Sequence, residues 1–307
     1  MIASFSRSDK TLSGFFRHSP SGLAHFWGCT ALKIAMVLWR GETPAEQGFR
    51  EEMKKLGLNP EITVFNADQD RATLATLLRT ELEPNLAKYD YVYSFGTTAS
   101  QMTKQFLKGR KPLIFNVVAD PYGAGLLSTN KQDNKMLAGV SNMISLPLQI
   151  ANARKYLPKG SKMLFPVNPR EQNTQLIGEQ LTPVAAQHHW ILETWRINPD
   201  KALLNSELLR LQKDAKGSVV FIPADSYLIS IAAELMQALN EANIETICSV
   251  GAFIPYHCSV GTVGDYQVQG KLAAKIIAMH QKGTALQDIP LQYDLSPRLM
   301  TRDAAAH

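Results

Sequence analysis

Residues 112–127, PLIFNVVADPYGAGLL, hold the transition on which the reading of this chain turns. An apolar run stops at Ala119-Asp120-Pro121, and Tyr122 and a Gly-Ala-Gly follow. A short apolar run closed by turn residues reads as a buried strand. A carboxylate, a proline and two glycines then stand at its carboxyl end. In an open α/β sheet, ligands bind where strands give way to loops at that end. Asp120 therefore either lines a site or starts a turn that caps the following segment.

Working outward, the same alternation recurs. KIAMVLW (33–39) reads as a buried strand and PAEQGFREEMKKLG (44–57) as a helix. That helix has Phe49, Met53 and Leu56 on one face, Pro44 near its start and Gly57 past its end. EITVF (61–65), a helix over 70–86, YDYVYSF (89–95), a helix opened by Gly-Thr-Thr in GTTASQMTKQFLKG (96–109) and KPLIFNVV (111–118) complete a first series. A second runs through MLAGVS (136–141), a helix from near Leu146, SKMLFPV (161–167) and a helix over 171–187. HWILETWRI (189–197), a helix over 200–213, SVVFIPA (218–224) and a helix over 226–242 continue it. ETICSVG (245–251) and CSVGTVG (258–264) are late strands, and a long helix covers 266–281.

Strand and helix at this spacing mean βαβ units and parallel sheets. The fold class is α/β, with two Rossmann-like lobes joined by three crossings, expected near 140–145, 248–252 and 283–290. Lobe 1 is expected to comprise 33–142 and 250–284, and lobe 2 143–249 and 285–307, with the late strands returning to the first sheet.

A chain of 307 residues, 45% hydrophobic and 19% charged, is long enough for two such lobes. The net charge is +5, but Lys and Arg are interleaved with acids. No basic stripe with aromatics marks a nucleic-acid partner. The three cysteines, Cys29, Cys248 and Cys258, contain no CxxC and read as neither a zinc site nor a disulfide framework. Residues 1–32 read as a leader or a disordered segment. Arg7, Lys10 and Arg17 precede SGLAHFWGCTALK (21–33), the basic-apolar-small order of an export signal. His25 interrupts the apolar patch, however, and Phe26-Trp27 before Gly28-Cys29 departs from a lipoprotein site.

Five segments carry a resemblance: GTTASQ (96–101), VADPYGAGLL (118–127), LAGVSNM (137–143), VNPREQN (167–173) and IPADS (222–226). In order and spacing they resemble the substrate-binding proteins of ABC importers, in the group that includes tryptophan and related amino-acid binders. There the corresponding places read Thr-Pro-Ala-Ala-Gln, Thr-Asp-Pro-Val-Gly-Ala-Gly, Val-Thr-Gly-Val-Ser, Tyr-Asn-Pro-Ser-Glu-Pro-Asn and Pro-Thr-Asp-Asn. The resemblance covers roughly residues 33 to 300. It implies a type I periplasmic-binding-protein architecture, in which the strand ends of both lobes face a cleft that closes on a ligand.

Asp120 then belongs at the rim or floor of that cleft. Thr97 and Thr98 open a helix directly after a strand, where free N–H groups suit a carboxylate, or where a threonine simply caps. Asp225, beside Ser226, is expected to hold a ligand ammonium, or to cap its own helix. Trp39, Glu42 and Thr43 follow the first strand; Trp39 either stacks on the ligand or belongs to the core. Asn168 and Gly251 close strands of the second series. Relatives carry Gly-Ser-Asp or Gly-Ser-Glu where this chain has Gly251-Ala252-Phe253. That departure favours a more apolar or aromatic ligand unless Phe253 is packed inside.

Enzymatic readings have no support in the motifs. Neither a phosphate loop, a GxGxxG after the first strand, nor a GxSxG elbow is present. His257-Cys258 and His188-His189 are adjacent pairs, which on a strand point to opposite faces. The chain thus reads as a non-catalytic solute receptor of an ABC importer, with no cofactor and no metal. Its partners are a small-molecule ligand, such as an amino acid or aromatic compound, and ABC permease subunits in the membrane. The periplasm or another exported location is expected. The alternative is a sensory, effector-binding module of the same fold, cytoplasmic or tethered, signalling to a partner protein.

Overall fold

The computed structural model describes residues 31–157 and 162–302; the expected leader falls almost wholly outside them. The first series folds as β1 (Lys33–Leu38), α1 (Pro44–Lys55), β2 (Glu61–Asn66) and α2 (Arg71–Leu77). α2 runs on through a wide turn at Leu78–Leu82 into α3 (Glu83–Asn85). β3 (Tyr91–Phe95), α4 (Thr97–Leu107), β4 (Leu113–Val118) and β5 (Leu137–Ser141) follow. The second series is α5 (Leu146–Tyr156), β6 (Lys162–Val167), α6 (Gln172–Gln187), β7 (Ile191–Arg196), α7 (Leu204–Asp214) and β8 (Val219–Ile222). The helix expected over 226–242 is broken at Ile231 into α8 (Ser226–Ser230) and α9 (Ala232–Glu241). β9 (Glu245–Val250), β10 (Val260–Gly264), α10 (Tyr266–Gln281), β11 (Gln292–Tyr293) and β12 (Arg298–Thr301) complete the chain.

Two six-stranded sheets result, in the orders β2-β1-β3-β4-β5-β11 and β7-β6-β8-β9-β10-β12. All pairings are parallel except that of β12 with β10. The order reverses between β1 and β3 in one sheet and between β6 and β8 in the other. Each lobe thus has its topological switch point, the crevice where α/β sheets bind ligands.

The late strands do not return to the first sheet as expected. β9 pairs with β8, and β10 pairs with β9 in register Val260 to Ile247. The chain leaves the second lobe only after Gly264, when α10 packs along α1 and sinks Ala273, Ala274, Ile276 and Ile277 into the first core. Gly270 allows that approach: a Cβ there would stand 1.8 Å from the Ala45 carbonyl oxygen. β11 then joins the first sheet and β12 the second. Residues 250–264 accordingly belong to lobe 2, and 285–293 to lobe 1, the reverse of the expected division. The crossings lie at 142–145, 264–266 and 294–297. They meet at Gly264, whose Cβ would touch both Ile144 Cδ1 (3.2 Å) and Asp294 Oδ2 (3.5 Å).

A second correction concerns the cysteines. Cys248 and Cys258 form a disulfide across 10 residues, Cα–Cα 6.5 Å. Parallel pairing of β9 with β10 brings them together, a register the spacing alone did not reveal; Cys29 lies outside the described residues. Closing a loop of this length typically stabilises by about 2–3 kcal/mol. A Cys248→Ser/Cys258→Ser chain should therefore unfold at lower urea, and reductant should affect only the parent. Three titratable thiols rather than one in the unreduced, denatured parent would contradict the bond. The histidine pairs are not on strands either. His257 caps a 3-10 turn with φ 63°, and His188 and His189 follow α6.

Candidate functional site

The two switch points face each other across a narrow cavity of about 30 Å³. From the first lobe, Trp39 and Arg40 enter after β1, and Gly96, Thr97 and Thr98 after β3. From the second, Glu171 and Asn173 enter after β6, and Ala224 and Ser226 after β8. Asn142 and Tyr266, on two of the crossings, close its sides.

Local structure explains the first-lobe wall. Gly96 is the N-cap of α4, at φ 88°, and has no side chain to cap with. The first-turn N–H groups of α4 have no intrahelical partners and carry the positive end of the helix dipole. Thr97 and Thr98 are buried there, 6% and 2% exposed. Beside them, Val117 lines the cavity with φ 55°, a left-handed conformation disfavoured for a β-branched residue by about 1–3 kcal/mol. β4 bulges between Phe115 and Val118, and the Asn116 side-chain oxygen accepts from Val117 N–H at 3.0 Å. Such bulges re-aim side chains beside binding sites. Arg40 lies against the rings of Phe95 (5.5 Å) and Tyr266 (6.0 Å), and its buried Nε has no hydrogen-bond partner.

The second-lobe wall is acidic. Glu171, 7% exposed, accepts two hydrogen bonds on Oε1. One comes from Trp39 Nε1–H of the other lobe (3.2 Å), and one from the Ser226 backbone N–H (3.1 Å). Burial, reinforced by the nearby Asp225 charge, pushes the Glu171 carboxyl up to about 8. Asp225 is fully buried, and desolvation raises its carboxyl as well. Its oxygens are occupied by Leu228 N–H (2.8 Å) and Asn168 Nδ2–H (2.9 Å). It caps α8 from behind Ser226 and does not line the cavity.

Trp39, Thr97, Thr98 and Ser226 therefore come together, while the other expected positions do not. Asp120 answers the opening question in both senses short of the cavity. Its Oδ1 accepts from Gly123 N–H (2.9 Å) and closes the turn, and its Oδ2 accepts from Gln180 of α6 (2.6 Å). With Trp39–Glu171 and Gln101–Gln172 (2.7 Å), it ties lobe to lobe. Asn168 lines a separate groove beside Arg170 and Arg196. Glu42, Thr43 and Gly251 line an outer pocket on the crossing side, reached past Arg40 and Tyr266. Within it, Glu42 pairs with Arg50 (2.6 Å) and Thr43 caps α1 in a capping box with Glu46. Phe253 is fully buried in the second core, so it gives no reason to expect an apolar ligand.

Sequence reasoning passed over Glu171, Asn173, Asn142 and Tyr266 as site residues. For two of them the signal was present: in VNPREQN (167–173), Glu171 and Asn173 fall on the Glu and the final Asn of the relatives' loop. No group of three or more His, Cys, Asp or Glu able to hold a metal occurs among the described residues.

Two α/β lobes joined by three crossings, with paired switch points facing one cavity, define the type I periplasmic binding protein class. Within it, residues 35–307 match the family described as ABC transporter substrate binding protein, and the chain belongs to that family. A tyrosine-binding protein of Clostridioides difficile (strain R20291) is 23% identical over 251 residues, 80% of this chain and 71% of that one. An ABC domain from Streptococcus pneumonia in complex with L-Trp superposes with TM-score 0.78 at 19% identity, covering 89% of this chain and 93% of that one. The ligand-free, open structure of a substrate-binding protein with adhesive properties from Clostridium difficile gives 0.65 at 19% identity, covering 90% and 95%.

Proposed function

We propose that this chain captures an amino acid in the inter-lobe cavity and hands it to an ABC permease. The observation that carries this reading is how the cavity sorts its polar groups. Toward lobe 2 stand acceptors: the Glu171 carboxyl, donated to at Oε1 alone, and the side-chain oxygens of Asn173 and Asn142, both buried without a partner. The amide of Asn173 is fixed by its bond to the Ala224 carbonyl (2.8 Å), which leaves that oxygen aimed at the cavity. Toward lobe 1 stand donors that lack acceptors: the start of α4 and Arg40 Nε. Unpartnered buried polar groups are costly, and a zwitterion supplies both complements. Its carboxylate goes to α4 and Arg40, and its ammonium to Glu171 and Asn173. The ammonium role expected of Asp225 thereby passes to Glu171, with Asp225 as its support.

The Cys248–Cys258 bond supports export to an oxidising compartment, and so favours a periplasmic or extracellular receptor over a cytoplasmic sensor. No described helix is long and apolar enough to cross a membrane.

Thermal-shift measurements against amino acids, sugars and nucleosides test the reading. A ligand at about 100 times its Kd stabilises by about 2.7 kcal/mol. An amino acid should do so and sugars should not. Asn173→Ala removes a hydrogen bond to a charged group, typically about 1.5–3 kcal/mol, and should weaken that binding about tenfold to a hundredfold. Stabilisation by a sugar with no response to any amino acid would overturn the assignment.

A further inference from the structure

We propose that Glu171 makes ligand capture proton-coupled: in the closed, unliganded cleft it is a neutral acid, and it releases its proton when a ligand ammonium docks against it. The inference rests on the amino-acid reading above and adds a rule of selection, that the cavity admits a nitrogen cation only in exchange for a proton.

The geometry supplies the reasons. Glu171 stands between the lobes, with Oε1 held by Trp39 from one side and the Ser226 backbone from the other. Two N–H donors orient a carboxyl but do not neutralise a carboxylate buried to 7% exposure. Among the described residues, no Lys or Arg comes within ion-pair distance of it. The charged and titratable groups facing it across the cavity are Asp225 before α8, Tyr266 at the start of α10, and Arg40 after β1, while Arg71, Arg170, Arg196 and Glu179 share with it the outer groove after β6 without pairing with it. Asp225 is an acid and disfavours a second negative charge. Arg40 acts on Asp225, lowering its carboxyl, while its own guanidinium lies against Phe95 and Tyr266. Tyr266 is partly buried, and desolvation raises its hydroxyl and keeps it neutral. Glu171 beside Asp225 is thus an acidic pair short of one positive charge.

Two cations can meet that need, a proton or an ammonium. Written as an equilibrium, the carboxylic acid and the ligand's R–NH3⁺ give the carboxylate–ammonium pair and one H⁺ to solvent, with charge conserved and no bond of the ligand broken. A carboxyl that holds its proton to about 8 in the unliganded fold is mostly neutral at pH 7. Docking of a cation should therefore release close to one proton. Affinity should tighten by up to tenfold per pH unit between about pH 6 and 7.5 and level off above 8. A ligand lacking the amine cannot make the exchange and should show neither effect.

Isothermal calorimetry at pH 7, in buffers of different ionisation enthalpy, counts the released protons. The probe is whichever of the twenty common L-amino acids raises Tm most, together with its des-amino analogue. Release of about 0.7–1 proton by the amino acid, and none by the analogue, is the expected result. Glu171→Gln, which keeps the size and the acceptor, should bind the same amino acid without proton release and with a flat pH profile. A flat profile and zero protons in the parent, with tight binding intact, would overturn the exchange while leaving the receptor reading standing. Proton release that persists unchanged in Glu171→Gln would overturn the assignment to this residue. No response to any amino acid would remove the amino-acid reading and this inference with it.

Discussion

Gly270→Val should destabilise the protein by on the order of 3–5 kcal/mol, enough to shift its urea midpoint visibly or prevent folding. At Gly270 the axes of α10 and α1 come so close that an added Cβ would lie 1.8 Å from the Ala45 carbonyl oxygen and 2.8 Å from the Phe49 nitrogen. Both obstacles are backbone, so no rotamer change relieves them. The helices would have to separate, loosening Ala45, Phe49, Ala273, Ala274 and Ile277 in the first core. The same contact has a second face at Gly48, whose Cβ would stand 2.1 Å from the Gln267 carbonyl oxygen. Gly41→Ala is the control. Nothing lies within 4 Å of that position, and its stability should change by less than about 0.5 kcal/mol. Urea denaturation of the two variants checks the pair; a loss below about 1 kcal/mol in Gly270→Val would mean the helices do not meet there. The site is involved as well. Tyr266 heads α10, so a displaced α10 carries one wall of the cavity with it.

That helix also shows how far the sequence can be read. Its span, 266–281, follows from periodicity and from Gly283 beyond its end, because those are local signals. Its lobe does not follow. Gly270, Ala273 and Ala274 make one small-residue face, but which helix fills it depends on a partner over two hundred residues away. β10 poses the same difficulty: VGTVG has little apolar bulk to declare a sheet, and the division between lobes was misread there. β11 spans two residues and is set by pairing alone.

The site divides along the same line. Placement of polar and small residues after β1, β3, β6 and β8 is legible, because strand ends and switch points follow from chain order. The depth of each side chain is not. Asp225 and Glu171 are both acids in loops after second-lobe strands, three and four residues respectively beyond the ends of strands neighbouring in the sheet. Asn168 and the N-terminus of α8 draw Asp225 inward, leaving Glu171 to face Trp39. Only the three-dimensional order of those hydrogen bonds separates the two.

That order has a consequence for stability against pH, the second large effect expected. In the unfolded chain the Glu171 carboxyl titrates near 4.5, and in the fold burial beside Asp225 holds its proton to about 8. Below the lower value both states are protonated, and this group gives no pH dependence. Between the two values the folded state retains a proton that the unfolded state has lost, so stability falls as pH rises, by up to about 1.4 kcal/mol per unit. Above about 8 both states are ionised, and the contribution of the neutral acid is fully lost. Burial raises the carboxyls of Glu46 and Asp225 too, and these push in the same direction. Subtracting Glu171→Gln isolates the one residue. Its amide still accepts from Trp39 and Ser226 and does not titrate. The variant should gain on the parent by on the order of 2–4 kcal/mol between pH 5 and pH 8.5, read from urea midpoints without ligand. Parallel curves for parent and variant across that range would show that Glu171 is ionised in the unliganded fold. Glu171, with the buried Asp225 behind it, would then need a permanent counter-cation. A bound amino acid should itself flatten the parent's curve, because its ammonium holds the carboxylate in the ionised form that water-free burial otherwise disfavours.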